Sequence, residues 1–350
     1  MNRRPPRNGE IIEKTTNTLL VDGNALFKWG FFGAKDMYNH HGVHVGGLYQ
    51  FLTILRKLLV EDLYHRVFVF WDGNLSGKLR YEIYEPYKSS RGKDFINGTH
   101  PIDETELLER KLVWDYLSEM YIRQLRHEVI ESDDFIGYYC LNKKPNEKIT
   151  ICSTDRDFCQ LISNDIRFYI LDLRTYVDNT NFSEYFCYKQ ENSILVKTMI
   201  GDNSDCIRGV KGLKDDKLIS LFPEIKERVV TLDDIINSAK KQQEERISSK
   251  KKPLIILDNI INQVTLGPQG NRLYEINERL VNLRNPMMTK DGIEALNELI
   301  DGTLDNSGRE LKNVFKMMRT DGLNRVMGES RFDDFLTPFK LLINREKNLN

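Results

Sequence analysis

The sequence predicts an α/β fold built on a mostly parallel sheet, with a helical region after it. Three observations predict it. Short apolar runs close on an acid and a turn, as in Leu19-Leu20-Val21-Asp22-Gly23 and Phe68-Val69-Phe70-Trp71-Asp72-Gly73. A buried parallel strand reads this way. Between these two runs, residues 45–63 carry Leu48, Phe51, Leu52, Leu55, Leu58 and Leu59 at helical spacing. The strand, helix, strand rhythm then returns further along the chain.

The elements follow in order. Residues 1–16 are basic and proline-containing, and read as a flexible arm. The first strand spans about 18–22 and the second 66–72. From 78 to 102 core periodicity is lost, and bases alternate with aromatics: Lys78, Arg80, Tyr81, Tyr84, Tyr87, Lys88, Arg91, Lys93, Phe95. Such a composition suits a groove for a single nucleic-acid strand, with bases on the backbone and rings for stacking. A charged loop over packed tyrosines is the plainer alternative. A helix is expected over 104–121, from Leu107, Leu108, Leu112, Trp114 and Leu117. Next comes Val129-Ile130-Glu131-Ser132-Asp133-Asp134-Phe135, placed where a strand gives way to a helix. Further strands are expected over 148–153, closing on Asp155 and Asp157, and over 166–171 nearer an edge. Residues 206–350 read as a helical region, with a solvated charged stretch at 240–252.

The chain has 350 residues and a net charge of −1, so overall charge decides nothing about nucleic acid. The cysteines are Cys140, Cys152, Cys159, Cys187 and Cys206. An odd count without C-x-x-C spacing argues against a disulfide framework or zinc site, and suits an intracellular chain. No secretory leader is recognisable at the start. No apolar run approaches the roughly 20 residues of a membrane helix. No G-x-G-x-x-G follows the first strand, which disfavours a dinucleotide enzyme.

In an open α/β sheet, ligands bind beyond the carboxyl ends of the strands. Asp22, Asp72, Glu131 and Asp155 are each expected there. Asp133 and Asp134 lie within a turn of Glu131, and Asp157 is two residues past Asp155. Asp202 and Asp205 are three apart, which on a helix start would set both on one face. Like charges about 4 Å apart repel by roughly 4 kcal/mol at an effective dielectric of about 20. Acids gathered this way call for a cation. An all-oxygen donor set suits magnesium, with manganese as a substitute. Two such ions over a phosphodiester would support phosphoryl transfer. Taken singly, each acid could equally be a helix cap or turn residue.

The series Leu-Val-Asp-Gly, Phe-Trp-Asp-Gly, Tyr-Lys-x-x-Arg, Glu-x-Asp-Asp, Thr-Asp-x-Asp and Gly-Asp-x-Ser-Asp, over roughly residues 17–222, resembles the 5′-nuclease superfamily of flap endonucleases and 5′–3′ exonucleases. The Tyr-Lys-x-x-Arg-Gly-Lys run and helical tail look most like its T-even bacteriophage ribonuclease H branch. The resemblance implies a PIN-like, resolvase-like catalytic domain over 17–205 with an arch near 78–102. A helical DNA-binding domain over 206–350 would contain a helix–hairpin–helix element. It also implies Asp22, Asp72, Glu131 and Asp133 around a first metal ion, some through water. Asp155, Asp157, Asp202 and Asp205 would serve a second, with Asp134 adjoining. Lys88 and Arg91, with Arg80, match bases that act on the scissile phosphate. Tyr87 matches a base-stacking aromatic, and Lys93 lies in the same DNA-binding run. Gly209, Val210, Lys211 and Gly212 resemble the start of the hairpin, where free N–H groups and a potassium ion would hold duplex. Here the pattern departs, since Lys214, Asp215 and Asp216 follow.

The implied function is a monomeric, cytoplasmic 5′ nuclease of replication, in a bacterial host if phage-encoded. It would cut flaps and remove RNA primers from branched or nicked duplex and RNA–DNA hybrid. Alternatives are a PIN-type single-stranded RNA endonuclease and a non-catalytic branched-DNA binder. The segment Arg331-Phe332-Asp333-Asp334-Phe335-Leu336 could dock on a sliding clamp or single-strand binding protein, or simply pack Phe332, Phe335 and Phe339 on the core.

Overall fold

The computed structural model describes residues 15–92, 103–303 and 310–347. Six strands form the main sheet: β1 (Thr16–Asp22), β2 (Arg66–Asp72), β3 (Arg123–His127), β4 (Glu147–Ser153), β5 (Ile166–Ile170) and β6 (Thr175–Val177), in the order β3-β2-β1-β4-β5-β6. All neighbours are parallel except β6, which runs antiparallel to β5. Parallel pairing follows from the crossovers, because each strand returns to the same end of the sheet through a helix. The register aligns Asp22 with Phe70 and Asp72 with His127, while Val21 pairs with Cys152. The carboxyl ends of β1, β2 and β4 therefore share one edge. Strand order reverses between β1 and β4, and that switch point is where such sheets form a crevice.

The sheet is covered on both faces because its central strands are apolar on both. Leu19 and Val21 of β1 join Val67, Val69 and Trp71 of β2 in one core, under the helices Gly23–Gly33, Gly46–Glu61 and Glu104–Glu119. Leu20, Phe68 and Phe70 face the other way, against Phe135 and Ile136 of the helix Ser132–Leu141 and Phe158 of the 3-10 turn Arg156–Leu161. Each fully buried side chain of this size stabilises the fold by about 1.5–3 kcal/mol. Two glycines let the crevice close. A Cβ on Gly23 would lie 2.8 Å from the Phe70 carbonyl oxygen, and one on Gly73 would lie 2.0 Å from that of His127. Each Asp-Gly pair is thus an acid at a strand end followed by a residue that must pass close to its neighbour.

A third core joins Val196, Met199, Leu218, Phe222, Ile235, Ile260 and Leu273 into a helical body. The charged stretch is the far end of the helix Leu232–Ser248. The closing helices differ from the expected single helical domain. Val314, Met318, Phe332, Phe335, Phe339 and Leu342 return to the sheet and join its first core. Arg123 of β3 reaches them through a salt bridge to Glu346 at 2.7 Å. The tail aromatics are therefore spent on packing: Phe332 and Phe339 are fully buried.

Two expectations about elements need correction. The strand before Glu131 is not Val129-Ile130 but β3, four residues earlier. Asp202 and Asp205 do not open a helix. Asp202 ends β7 (Gly201–Asp202), which pairs with β8 (Ile207–Arg208), and Asp205 lies in the turn between them.

Candidate active site

The acid cleft is assembled from strand ends and the starts of short helices. Asp22 closes β1 and caps the next helix, accepting from the Ala25 N–H at 3.0 Å. Asp72 accepts from the Ser132 N–H at 2.8 Å, which ties β2 to the helix Ser132–Leu141. Asp133 stands in the first turn of that helix, where the helix dipole favours an anion. Asp155 caps the 3-10 turn through the Asp157 N–H at 2.8 Å.

Two serines link these acids. The Ser153 hydroxyl donates to Asp22 Oδ2 at 2.8 Å and accepts from the Asp155 N–H at 3.0 Å. The Ser132 hydroxyl lies 3.5 Å from Asp22 Oδ1 and 3.4 Å from Asp133 Oδ1. Residues from β1, β2, β4 and the Ser132–Leu141 helix are thereby drawn to one place. Neither serine was singled out in the sequence, although both sit beside acids at element ends.

Electrostatics divides the acids into three groups. In the first, burial and then Asp72 push the Asp22 carboxyl up to about 7. Asp133 is raised well above the ordinary carboxylate range by burial, then by Asp155, Asp22, Asp72 and Glu131. The neighbouring charges that weigh most on Asp133 are thus carboxylates, while Lys88 and Lys28 act on Asp72.

The second group is internally neutralised. Arg80 pairs with Asp134, Nη2 to Oδ1 at 3.1 Å, and also with Glu131. Lys88 Nζ pairs with Glu131 too. Despite burial, Lys88 and then Arg80 hold Glu131 down at about 2. Asp134 further accepts from the Met287 N–H at 2.8 Å, so its carboxylate is turned towards Arg80 and the backbone. Tyr87 is buried, its hydroxyl 3.0 Å from Glu131 Oε2 and 3.2 Å from Asp205 Oδ2. A buried ring cannot present a face to a base, so the stacking expected of Tyr87 does not describe this conformation. Arg80, also buried, carries the Leu280 carbonyl on Nε at 3.0 Å and stands as a structural cation.

In the third group, Lys197 Nζ lies 2.8 Å from Asp157 Oδ1 and 2.7 Å from Asp202 Oδ2. Burial and Asp155 lift Asp157 to about 7, while Lys197 is the main influence that brings Asp202 down to about 2. Asp205 accepts from Arg91 Nη2 at 3.2 Å, and its carbonyl accepts from the Lys88 N–H at 2.8 Å. Lys88 there has a positive φ of 51°, an uncommon conformation for a side-chain-bearing residue. Lys93 lies outside the described residues.

The turn from Gly209 to Leu213 joins β8 to the helix Asp215–Leu221. Val210 and Leu213 are buried, and the N–H groups of Val210, Lys211 and Leu213 donate to Met199, Val264 and Val210 carbonyls. Gly212 adopts a φ of +81°. Asp215 and Asp216 occupy the first turn of the following helix, where they complement its dipole. That accounts locally for the two acids that depart from the expected hairpin.

The fold and the acid crevice define a class, that of mostly parallel α/β domains with a carboxylate-lined cleft at the strand ends. Residues 17–188 match the family model of the 5'-3' exonuclease N-terminal, resolvase-like domain. Over that stretch, just under half of its length, the chain is similar to this domain family. Among curated relatives, the thermostable DNA polymerase I of Thermus caldophilus is 28% identical over 215 residues, which cover 61% of this chain and 25% of that protein. The 5'-3' exonuclease of Mycoplasma pneumoniae is 26% identical over 220 residues, covering 59% of this chain and 72% of that protein. The chain thus spans about a quarter of the length of the polymerase relatives it matches. Among solved structures, the T5 5'-exonuclease with divalent metal ions (zinc) bound aligns at a TM-score of 0.58 and 18% identity, covering 82% of this chain and 95% of that one. The bacteriophage T5 flap endonuclease complexed with DNA and metal ions aligns at 0.58 and 17% identity, covering 95% and 99%. These two likenesses are of fold.

Proposed function

We infer that the chain is a structure-specific 5′ nuclease using two divalent ions, a 5′–3′ exonuclease and flap endonuclease that removes RNA primers and displaced strands during replication. The observation that carries this reading is the convergence of carboxylates where β1, β2 and β4 end, with Ser132 and Ser153 linking Asp22, Asp133 and Asp155. Among the described residues, no three acidic, histidine or cysteine side chains already enclose a common point as ligands would. The donors nevertheless fit a hard cation. They are all oxygen, they repel one another, and Asp22 and Asp133 are raised by burial and by one another's neighbours.

Asp155, expected at the second ion, is tied to Asp22 through Ser153, so Asp22, Asp72, Asp133 and Asp155 would hold the first ion, with Glu131 reached once Lys88 leaves it. Asp157, Asp202 and Asp205 would serve the second. When bound, such ions supply Lewis acidity and a water of lowered pKa. Magnesium is the proposed ion and manganese the substitute. The remaining work falls to the chain's own residues. Ser132 and Ser153 orient the carboxylates by hydrogen bonds. Lys88 and Arg91, at the rim beside Asp205, would meet the scissile phosphate as charge develops on it. The expected free N–H groups of the hairpin are not free at Val210 and Lys211, which donate within the protein, and Val210 is buried. The Lys211 side chain and Gly212, on the exposed turn, would contact the duplex backbone, with a potassium ion there as a further proposal.

Branched or nicked DNA and RNA–DNA hybrid are the proposed substrates. The test is cleavage of an end-labelled 5′-flap duplex, a nicked duplex, an RNA–DNA hybrid and single-stranded RNA, in magnesium with and without chelator. Flap and hybrid cleavage that chelator abolishes supports the reading. Cleavage of single-stranded RNA alone would favour a PIN-type ribonuclease, and binding without cleavage a non-catalytic protein.

A further inference from the structure

Lys197 is carried by the helix Ser193–Ile200, whose C-terminal end leads directly into β7 and Asp202. Its ammonium group sits between two carboxylates from different elements, 2.8 Å from Asp157 and 2.7 Å from Asp202. Those two acids are ones assigned above to the second ion. A cation already bridging them occupies the place a divalent ion would share. Like charges cannot hold that position together, since at about 4 Å each pair would repel by several kcal/mol at an effective dielectric of about 20.

We propose that Lys197 is the built-in counter-ion of the second acid pair, and that it competes with the second divalent ion for Asp157 and Asp202. This rests on the metal-cleft reading above. It makes the two sites unequal by construction. The first group must take its positive charge from solution. The second has its own, and yields it only when Lys197 swings away. Lys197 is in this sense a positioning residue, which sets the concentration of metal at which the second site fills. The helix end suits the arrangement, because a lysine in a last turn is favoured by the dipole. Removing the cation should leave Asp157 and Asp202 facing one another unscreened, a cost in the metal-free protein that a divalent ion would relieve.

The test titrates Mn²⁺ into the full chain without nucleic acid, in wild type, Lys197→Met and Lys197→Arg. Binding is read from the free-ion electron paramagnetic resonance signal, and stability from thermal melting. In wild type a strong step should precede a weak one. In Lys197→Met the weak step should tighten by at least roughly fivefold, the lower end of ordinary coupling between sites, with the strong step unchanged. Its melting temperature should fall without metal and rise further on Mn²⁺ addition than that of wild type. Lys197→Arg keeps the charge and should keep the weak step. A Met variant that folds only with Mn²⁺ supports the proposal. An unchanged or weaker second step in the Met variant overturns it, as does an Arg variant that tightens equally. Wild type that takes up no Mn²⁺ at all overturns the metal-cleft reading itself, an outcome distinct from the others.

Discussion

Asp22, Asp72, Asp133 and Asp155 gather where β1, β2 and β4 end, and Asp157 meets Asp202 of β7 across Lys197, so the two sets are balanced differently. In the first group burial, and then the charge of Asp72, lifts Asp22 to about 7. The second pair is bridged by Lys197: Asp202 falls to about 2, while burial and Asp155 still hold Asp157 up at about 7. The difference teaches that clustering alone does not define an ion site. What matters is whether the chain also supplies the cation. Glu131 makes the same point, because Arg80 and Lys88 already neutralise it.

The largest expected effect comes from breaking the first group. Asp133→Asn should reduce flap cleavage by on the order of 10³ or more, as the loss of several kcal/mol of metal-assisted charge stabilisation would. The same variant should melt no lower than wild type without metal, since it removes a repelling charge. Single-turnover cleavage and a melting curve check both, and a stable variant with full turnover would contradict the assignment. Next in size is Lys88→Ala, expected to slow cleavage by about 10²–10³ with a smaller loss of substrate affinity. Equal losses in rate and binding would reduce Lys88 to a phosphate contact.

Ser153→Ala sharpens the comparison at its hinge, because Ser153 joins Asp22 to the backbone of Asp155. Its first-ion affinity should drop roughly 10–100-fold, as for other groups that orient ligands. Calorimetric titration reads this directly. The smallest effect is on pH. Between the ordinary aspartate value of 3.8 and about 7, folded Asp22 holds a proton that the unfolded chain has released. Asp133 is raised in the same direction. The native state therefore binds more protons in that window, and metal-free stability should rise as pH falls from about 7 towards 4. Glu131 and Asp202 act oppositely, their contribution being complete above the ordinary carboxylate range and lost as pH falls through about 2. Saturating Mn²⁺ should reverse the first trend, because its ligands must be ionised. Melting curves from pH 5 to 8, with and without the ion, separate the two.

Much of this was legible in the residues. β1, β2 and β4 are apolar on both faces, so their closing acids could be aligned without coordinates. β3 escaped notice because Arg-Gln-Leu-Arg-His is an edge strand with one apolar side chain, and β6 because it is three residues long. Arg80 and Tyr87 looked like surface groups, since bases and aromatics interleave around them. Their burial depends on Leu280, Val281 and Met287, which lie some two hundred residues later and share their small core. Lys197 was the least legible. A lysine in a helix is ordinarily solvated, and only its position five residues before Asp202 hints otherwise. The closing helices, too, read as a continuation of the helical body. Nothing local says that Phe332 and Phe339 return to the sheet.

That the crevice at the ends of β1 and β4 takes a divalent cation from solution is the proposal on which the two-ion reading rests. Anomalous diffraction from crystals soaked in Mn²⁺ tests it most directly. A first peak is expected between Asp22, Asp72, Asp133 and Asp155, at a lower Mn²⁺ concentration than any peak beside Lys197. A peak at Asp157 and Asp202 that fills first, or none between the four aspartates at saturating Mn²⁺, would contradict it.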